Sequence, residues 1–223
     1  MFDRLIALIG KDRFEKLASV KVLIIGLGGV GGYALEALVR SGVKNITIVD
    51  GDVVEESNLN RQIISNNNNI GMSKCEAAAK RAVEINKDIN ISIMYKFLTE
   101  DNFKDILVNK YDYVIDACDD IKVKLLLMRH ANKYKLISCM GTANKTDPSK
   151  FEITSLDKTS GDPLAKVLRK KIKEERIKTK FKVVSSSEVP IKKDNKVLGT
   201  VSYMPGIAGL MCASYVINDI TKK

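Results

Sequence analysis

The sequence predicts an α/β fold, a doubly wound, mainly parallel sheet followed by a C-terminal α+β elaboration. Three observations carry that expectation. Short apolar runs alternate with segments of helical period between residues 20 and 140, the pattern of repeated strand–helix–strand units. The first run, residues 20–25, leads directly into Gly26-Leu27-Gly28-Gly29-Val30-Gly31. A second run, residues 46–49, ends in Asp50. Together these make a Rossmann-like, nucleotide-binding arrangement. Gly26 permits the tight turn, Gly28 lets the backbone approach a phosphate, Gly31 lets the helix pack on the strand, and Asp50 is placed to accept hydrogen bonds from a ribose.

Each element has its own signal. Residues 2–18 read as an amphipathic helix or helix pair, with Leu5, Leu8, Ile9, Phe14 and Leu17 on the buried side. Strand 20–25, helix 33–40 and strand 46–49 follow, and then a polar loop over 51–73. A helix is expected over 74–86, a strand over 91–95, a short helix over 100–108 and a strand over 111–117. Helix 122–134, which contains His130, and strand 136–140 complete the alternation. Beyond Gly141 the pattern changes. Residues 151–156 read as a strand, and Asp162-Pro163 starts a helix that runs to about 177, with Asp as cap and Pro at the first position. Strands are expected over 182–185 and 197–203. The apolar stretch 201–217 reads as a strand end, a glycine–proline turn at Pro205, Gly206 and Gly209, and a buried terminal helix. It is too interrupted for a membrane span, which needs about 20 apolar residues.

Composition narrows the function. At 223 residues the chain has the size of one domain. Residues 1–10 include Asp3 and Arg4 and show no secretory signal. The cysteines, at 75, 118, 139 and 212, form no C-x-x-C pair, so a structural zinc site is not expected and a reducing cytoplasm is. Cys118, Cys139 and Cys212 read as structural thiols. Cys75 stands at a helix start, a setting that lowers thiol pKa values. One histidine leaves little room for triad or histidine–metal chemistry. The net charge of +10 suits a nucleic-acid partner.

The polar groups at strand ends carry the chemistry. Asp50 and Asp52 follow the second strand; Asn58, Asn60, Arg61 and Gln62 lie in the next loop; Lys74 opens a helix; Asp116, Asp119 and Asp120 follow a later strand. Ligands bind at the carboxyl ends of parallel strands, so these groups face one crevice. Arg61 and Lys74 are suited to clamp a triphosphate. Asp119 is suited to hold Mg²⁺, which prefers carboxylate and phosphate oxygens. Hydride transfer needs no such clamp, whereas attack on the α-phosphate of ATP does.

This ordered set, GLGGVG at 26–31, D-x-D at 50–52, N-x-N-R-Q at 58–62, G-x-x-K at 71–74 and D-A-x-D at 116–119, resembles the ATP-binding core of ubiquitin-activating-type enzymes. The molybdopterin- and thiamine-pathway adenylyltransferases share that core. The resemblance covers residues 1–145 and implies carboxylate activation by adenylation with ATP and Mg²⁺. It assigns catalysis to Arg61, Lys74 and Asp119, with Asp119 also the metal ligand. It assigns nucleotide binding to Gly26, Gly28, Gly29, Gly31, Asp50, Asp52, Asn58, Asn60, Arg61, Gln62, Lys74 and Asp116. It also implies a homodimer in which Arg4 reaches the neighbour's site, and it gives Cys75 no catalytic role.

The second part, residues 146–223, is expected to face the substrate and to end in the terminal helix. Met140 to Pro148, Asp157-Lys158-Thr159, Asp162 to Ala165, Lys182 to Ser185 and Ser187 to Pro190 resemble the tRNA threonylcarbamoyladenosine dehydratases. That resemblance implies activation of the threonyl carboxylate of a modified adenosine next to the anticodon. Attack by the carbamoyl nitrogen then closes a ring, a step that needs proximity rather than a covalent cysteine. The implied partners are tRNA carrying threonylcarbamoyladenosine and a second copy of the chain, with room for a sulfur-relay or cysteine desulfurase partner and no membrane. Lys166, Arg169, Lys170, Lys173 and Arg176, on the basic face of the helix from 162, are expected to meet tRNA phosphates. Two other readings stand beside this one. One is an adenylyltransferase for a ubiquitin-like sulfur carrier; the other is a non-catalytic dinucleotide sensor, against which the phosphate clamp argues.

Overall fold

A computed structural model describes residues 1–191 and 197–222. Strands β1 (Lys21–Ile25), β2 (Asn45–Asp50), β3 (Asn90–Tyr95), β4 (Tyr113–Asp116), β5 (Lys135–Cys139), β6 (Phe151–Thr154) and β7 (Lys182–Ser186) form one sheet in the order β3-β2-β1-β4-β5-β7-β6. All neighbours pair in parallel except β6, which runs antiparallel to β7. The chain winds outward from β1 to β3, then returns to place β4 on the other side of β1. The crevice between β1 and β4 is therefore the switch point where a doubly wound sheet binds ligands.

Two apolar layers hold helices to the sheet. Along β1, Val22 and Ile24 join the layer beneath α3 (Gly31–Arg40), α4 (Lys74–Ile85) and α8 (Tyr203–Thr221), while Leu23 and Ile25 join the layer beneath α5 (Phe103–Ile106), α6 (Ile121–Arg129) and α7 (Pro163–Glu174). This is the two-residue alternation of a strand buried on both faces. His130 ends α6 at its C-cap, its ring against Phe103.

The amino-terminal segment is a helix pair, α1 (Asp3–Ile9) and α2 (Lys11–Ser19), broken at Gly10, whose φ is +83°. Leu17 is buried as expected, but Leu8 is 80% exposed. Two further expectations fail near the carboxyl terminus. Residues 197–202 form no strand, because β7 already has β5 on one side and β6 on the other. Gly199 is instead held by Asn144, through a backbone pair and the Asn144 side chain. Pro205 and Gly206 do not make a turn; they lie in the first turn of α8, where the missing proline N–H has no helical acceptor to lose. Gly209 explains the small residues of this helix: a Cβ there would lie 2.2 Å from the Val30 carbonyl oxygen. α8 thus packs at backbone contact against the glycine turn. Among the described residues no helix is long and apolar enough to cross a membrane.

Candidate active site

The site is built around an open helix end. Ser73 caps α4, Asp120 caps α6 and Asp162 caps α7, each accepting backbone N–H groups. α3 begins without any side-chain cap. Among the described residues, the N–H groups of Gly28, Gly29 and Val30 have no acceptor within the protein. Unpaired N–H groups and the helix dipole together make such an end an anion site.

The glycines of this turn do different things. Gly26 has φ +86° and lies against the Ala117 backbone across the switch point. A Cβ on Gly31 would come within 1.8 Å of the Gly26 carbonyl oxygen. A Cβ on Gly29 would meet Pro205 of α8 at 2.9 Å. Gly28 alone needs no glycine for the protein's sake: a Cβ there would meet only the Gln62 amide, at 3.9 Å. The space in front of Gly28 is a cradle that a side chain would fill, which fits a phosphate. Gly31→Ala should cost about 1–3 kcal/mol through forced overpacking. Gly28→Ala should melt like the wild type yet bind ATP at least about tenfold more weakly, a loss of roughly 1.4 kcal/mol. Thermal unfolding and calorimetry separate the two; normal ATP affinity in Gly28→Ala would remove the cradle.

Asp50 is buried, and its carboxylate accepts from Leu27 N at 2.6 Å and from Asp52 N at 2.8 Å. It therefore fixes the glycine turn itself. Lys74 is held twice: its N–H donates to the Asp52 carbonyl at 3.0 Å, and its Nζ lies 2.7 Å from Asp52 Oδ2. Its side chain is 8% exposed, whereas that of Asp52 is 52% exposed. The loop between them is preorganised as well. Asn58 is buried and closes a reciprocal capping box with Glu55. Asn60 accepts from Arg61 Nη1, which also donates to the Ser57 carbonyl at 2.7 Å. Gln62 is buried beside Gly28, and its Oε1 has no partner. Asn58 and Asn60 thus act on the position of Arg61.

Beyond β4 the three aspartates divide their work. Asp120 caps α6. Asp119, three residues past the end of β4, is exposed and, among the described residues, makes no hydrogen bond or ion pair. Asp116, assigned to the nucleotide from sequence, is 0% exposed. It accepts from Ser138 Oγ at 2.6 Å, pairs with Lys124 Nζ at 3.0 Å and takes the Cys118 N–H and thiol. The geometry corrects that assignment: Asp116 is a strut beneath the site rather than a group that touches its contents. Arg4 lies exposed on α1 with no ion pair among the described residues.

Sequence reasoning missed three participants. Lys124 is fully buried and donates to Asp116, Ser138 and the Cys139 carbonyl, tying the ends of β4 and β5 together. Burial alone would lower its pKa, but the Asp116 carboxylate outweighs burial and holds the ammonium above its ordinary value of 10.5. Lys145, also fully buried, pairs with Asp162 at 2.8 Å and donates to the Gly141 and Ser186 carbonyls, tying β5 to β7. The signal was a lysine inside an apolar stretch in the first case, and Lys145 carried none. The third is Phe97, 61% exposed, whose ring lies flat on Gly51 between Asp50 and Asp52. The expectation of an activated Cys75 is overturned. Burial and the Asp50 charge push its thiol up to about 12, and Cys118 moves the same way, through desolvation and then Asp116.

An uncapped helix end, a held lysine and a free carboxylate around one switch point suit a nucleotide triphosphate. Known proteins agree. A tRNA threonylcarbamoyladenosine dehydratase of Bacillus subtilis is 37% identical over 240 residues, spanning 99% of this chain and 94% of that one. The Escherichia coli enzyme of the same name is 35% identical over 208 residues, spanning 92% and 76%. The crystal structure of that E. coli enzyme, TcdA, in complex with AMP matches with a TM-score of 0.93 at 31% identity, covering 98% of this chain and 93% of that one. Its ATP complex gives 0.92. The sequence model of the ThiF family runs from residue 2 to residue 223, and with every strand end of its crevice inside that span, this chain belongs to the ThiF family.

Proposed function

We propose that this protein is an ATP-dependent tRNA threonylcarbamoyladenosine dehydratase. The observation that carries the reading is the uncapped start of α3, which opens on the crevice that also holds Lys74 and Asp119. The full-length relatives supply the substrate class. The threonyl carboxylate attacks the α-phosphate of ATP, forming an acyl adenylate and releasing pyrophosphate. The carbamoyl nitrogen then attacks the acyl carbon and expels AMP, so the oxygen lost from the carboxylate leaves on AMP. Held 3–3.5 Å from its target, such a nucleophile needs no covalent help from the enzyme.

The roles follow from placement. The N–H groups at Gly28 and Gly29 and the start of α3 take phosphate oxygens, and Asp50 takes the ribose. Lys74 and Arg61 balance charge developing at the α-phosphate. Asp119 would hold Mg²⁺, which would supply Lewis-acid neutralisation of the phosphates. Mg²⁺ is commonly bound through one or two carboxylates together with substrate phosphates, so a single carboxylate at Asp119 fits that role. Residues 1–145 form the ATP-binding core and residues 146–223 the tRNA-facing elaboration of one domain. The tRNA substrate places the work in the cytoplasm. A sulfur-relay or cysteine desulfurase partner would act outside this ring closure, which forms and breaks no bond to sulfur. An adenylyltransferase for a sulfur carrier has less support, since the likeness to the dehydratases extends through the tRNA-facing part. The deciding test is mass spectrometry of nucleosides from tRNA treated with protein and ATP. A mass lower by one water at the modified adenosine is expected; an unchanged nucleoside with full ATP binding would overturn the reading.

The working form is a homodimer in which Arg4 completes the neighbouring site. Arg4 and Leu8 are four residues apart on α1 and so share one face, and Leu8 is an exposed apolar side chain with no cover. Mixing Arg4→Ala with Asp119→Ala should restore part of the activity, because one hybrid site is whole. No rescue after proven subunit exchange would place Arg4 outside the mechanism.

A further inference from the structure

At the far end of the sheet lies a cavity of about 800 Å³ that no step above uses. It is bounded by residues 155–157 after β6, the last turns of α7 and the segment 177–182 that enters β7. β7 begins here, so the cavity opens at the amino ends of the parallel strands, whereas the ATP crevice lies at their carboxyl ends. α7 joins the two levels, its 12 residues rising about 18 Å.

The cavity is cationic. Lys173, Arg176, Lys178, Lys180 and Lys182 line it, all exposed, against the single acid Asp157, while Arg169, also in the wall, is half-buried and turned onto the Thr159 carbonyl and hydroxyl. Nearby acids are engaged elsewhere: Glu175 pairs with Arg129 at 2.8 Å, and Glu174 with Lys170 at 3.8 Å. Among the described residues none of the five cations has an ion-pair partner. The backbone that presents them is held, by Ile177 N to the Ile172 carbonyl and by the Thr179 hydroxyl to the Met128 carbonyl. Ile177 and Phe181 supply an apolar floor.

Arg176 adds an independent observation. Its φ is +53°, the left-handed conformation that commonly ends a helix. Glycine takes that position without steric cost and is the usual residue there. This chain places an arginine there instead, with its side chain in the cavity wall.

We propose that this cavity is a second footing for the tRNA, taking consecutive backbone phosphates while the modified adenosine occupies the crevice. The proposal rests on the reading that tRNA is the substrate. Lys166, Lys170 and Lys173, spaced four and three residues apart, lie on one face of α7 and mark the path between the two. RNA fits better than a small anion: the charges run along a strip, and none is buried in a converging cup.

The test measures binding of the modified tRNA against salt for the full-length protein, with thermal unfolding and ATP calorimetry on the same samples. In Lys178→Glu/Lys180→Glu, affinity should fall at least about tenfold near 100 mM salt, and the log–log slope should shrink by about two. In Arg176→Gly the slope should shrink by about one while the melting temperature stays level or rises, since glycine relieves the left-handed backbone. ATP affinity should not move. Wild-type affinity and slope in both variants, with the wild type active on tRNA, would overturn the footing and leave the dehydratase reading intact. Wild-type protein that binds tRNA through the cavity without altering the nucleoside would overturn the dehydratase reading and leave the footing. One-to-one binding of inorganic tripolyphosphate that the double variant loses, with the tRNA slope unchanged, would make the cavity a small-anion site and overturn the footing.

Discussion

Lys74→Ala should lower the rate of nucleoside conversion by roughly 100- to 1000-fold, the usual cost of removing one group that stabilises transition-state charge. Asp119→Ala should do the same. Both losses should appear already in substrate-dependent exchange of pyrophosphate into ATP, because both residues act before ring closure. The fold should survive each change. Lys74 pairs with Asp52, whose side chain is 52% exposed, so the carboxylate left behind is solvated and losing the pair itself costs about 1 kcal/mol or less; the buried stem of Lys74, 8% exposed, adds a packing loss that thermal unfolding measures. Asp119 has no partner to lose among the described residues. Asp52→Ala separates holding Lys74 from using it: Lys74 keeps its backbone anchor to the Asp52 carbonyl, so the rate should fall less than in Lys74→Ala. Near wild-type exchange in either alanine variant would remove that residue from the mechanism.

The sheet was legible because β1, β2, β4 and β5 are buried on both faces and therefore read as apolar runs, with glycine and aspartate punctuating the ends. Helix α7 was legible from Asp162-Pro163, a cap and first-position proline that act locally. What failed depended on neighbours. Val197 and Leu198 look like strand residues until the sheet shows no free side on β7. Pro205 and Gly206 look like a turn until they are seen in the first turn of α8, with Pro205 against Gly29 and Gly206 against the Tyr33 ring. The rule that ligands meet the ends of parallel strands assigns Asp50, Asp52, Arg61, Lys74 and Asp119 to one crevice; of these, Asp50, Asp52 and Lys74 are linked to one another, and Arg61 is held by its own loop. Asp116 follows the same rule by sequence and yet lies beneath the crevice, because a strand's last residue points to one face of the sheet or the other and Lys124 waits below. That lysine cannot be read as buried from spacing alone; its partner, 8 residues earlier, comes within reach only when β4 and α6 pack.

Lys124→Met should destabilise the protein by about 3–5 kcal/mol, the cost of leaving one member of a buried pair without its partner. Lys124 and Asp116 are both 0% exposed, so no water reaches the carboxylate that loses its ammonium, and Ser138 supplies only a neutral donor. For a chain of this size that loss corresponds to a melting temperature lower by roughly 6–20 °C. Asp116→Asn/Lys124→Met should recover part of it, because a neutral amide costs less to bury than an unpaired charge. The pH dependence follows from the raised pKa of Lys124. A cation whose folded value exceeds its ordinary 10.5 contributes stability that is fully present below that ordinary value and is lost only as pH rises through the folded one. The gap between wild type and Lys124→Met should therefore persist across neutral and mildly alkaline pH and narrow only above it. Denaturant unfolding at several pH values measures this directly. Turnover should fall as well, since the strut under residues 116–120 also sets where Asp119 stands. A single variant that loses less than about 1 kcal/mol, or a double variant no more stable than the single, would show that water or local rearrangement compensates Asp116, and the strut would not be what holds the crevice floor.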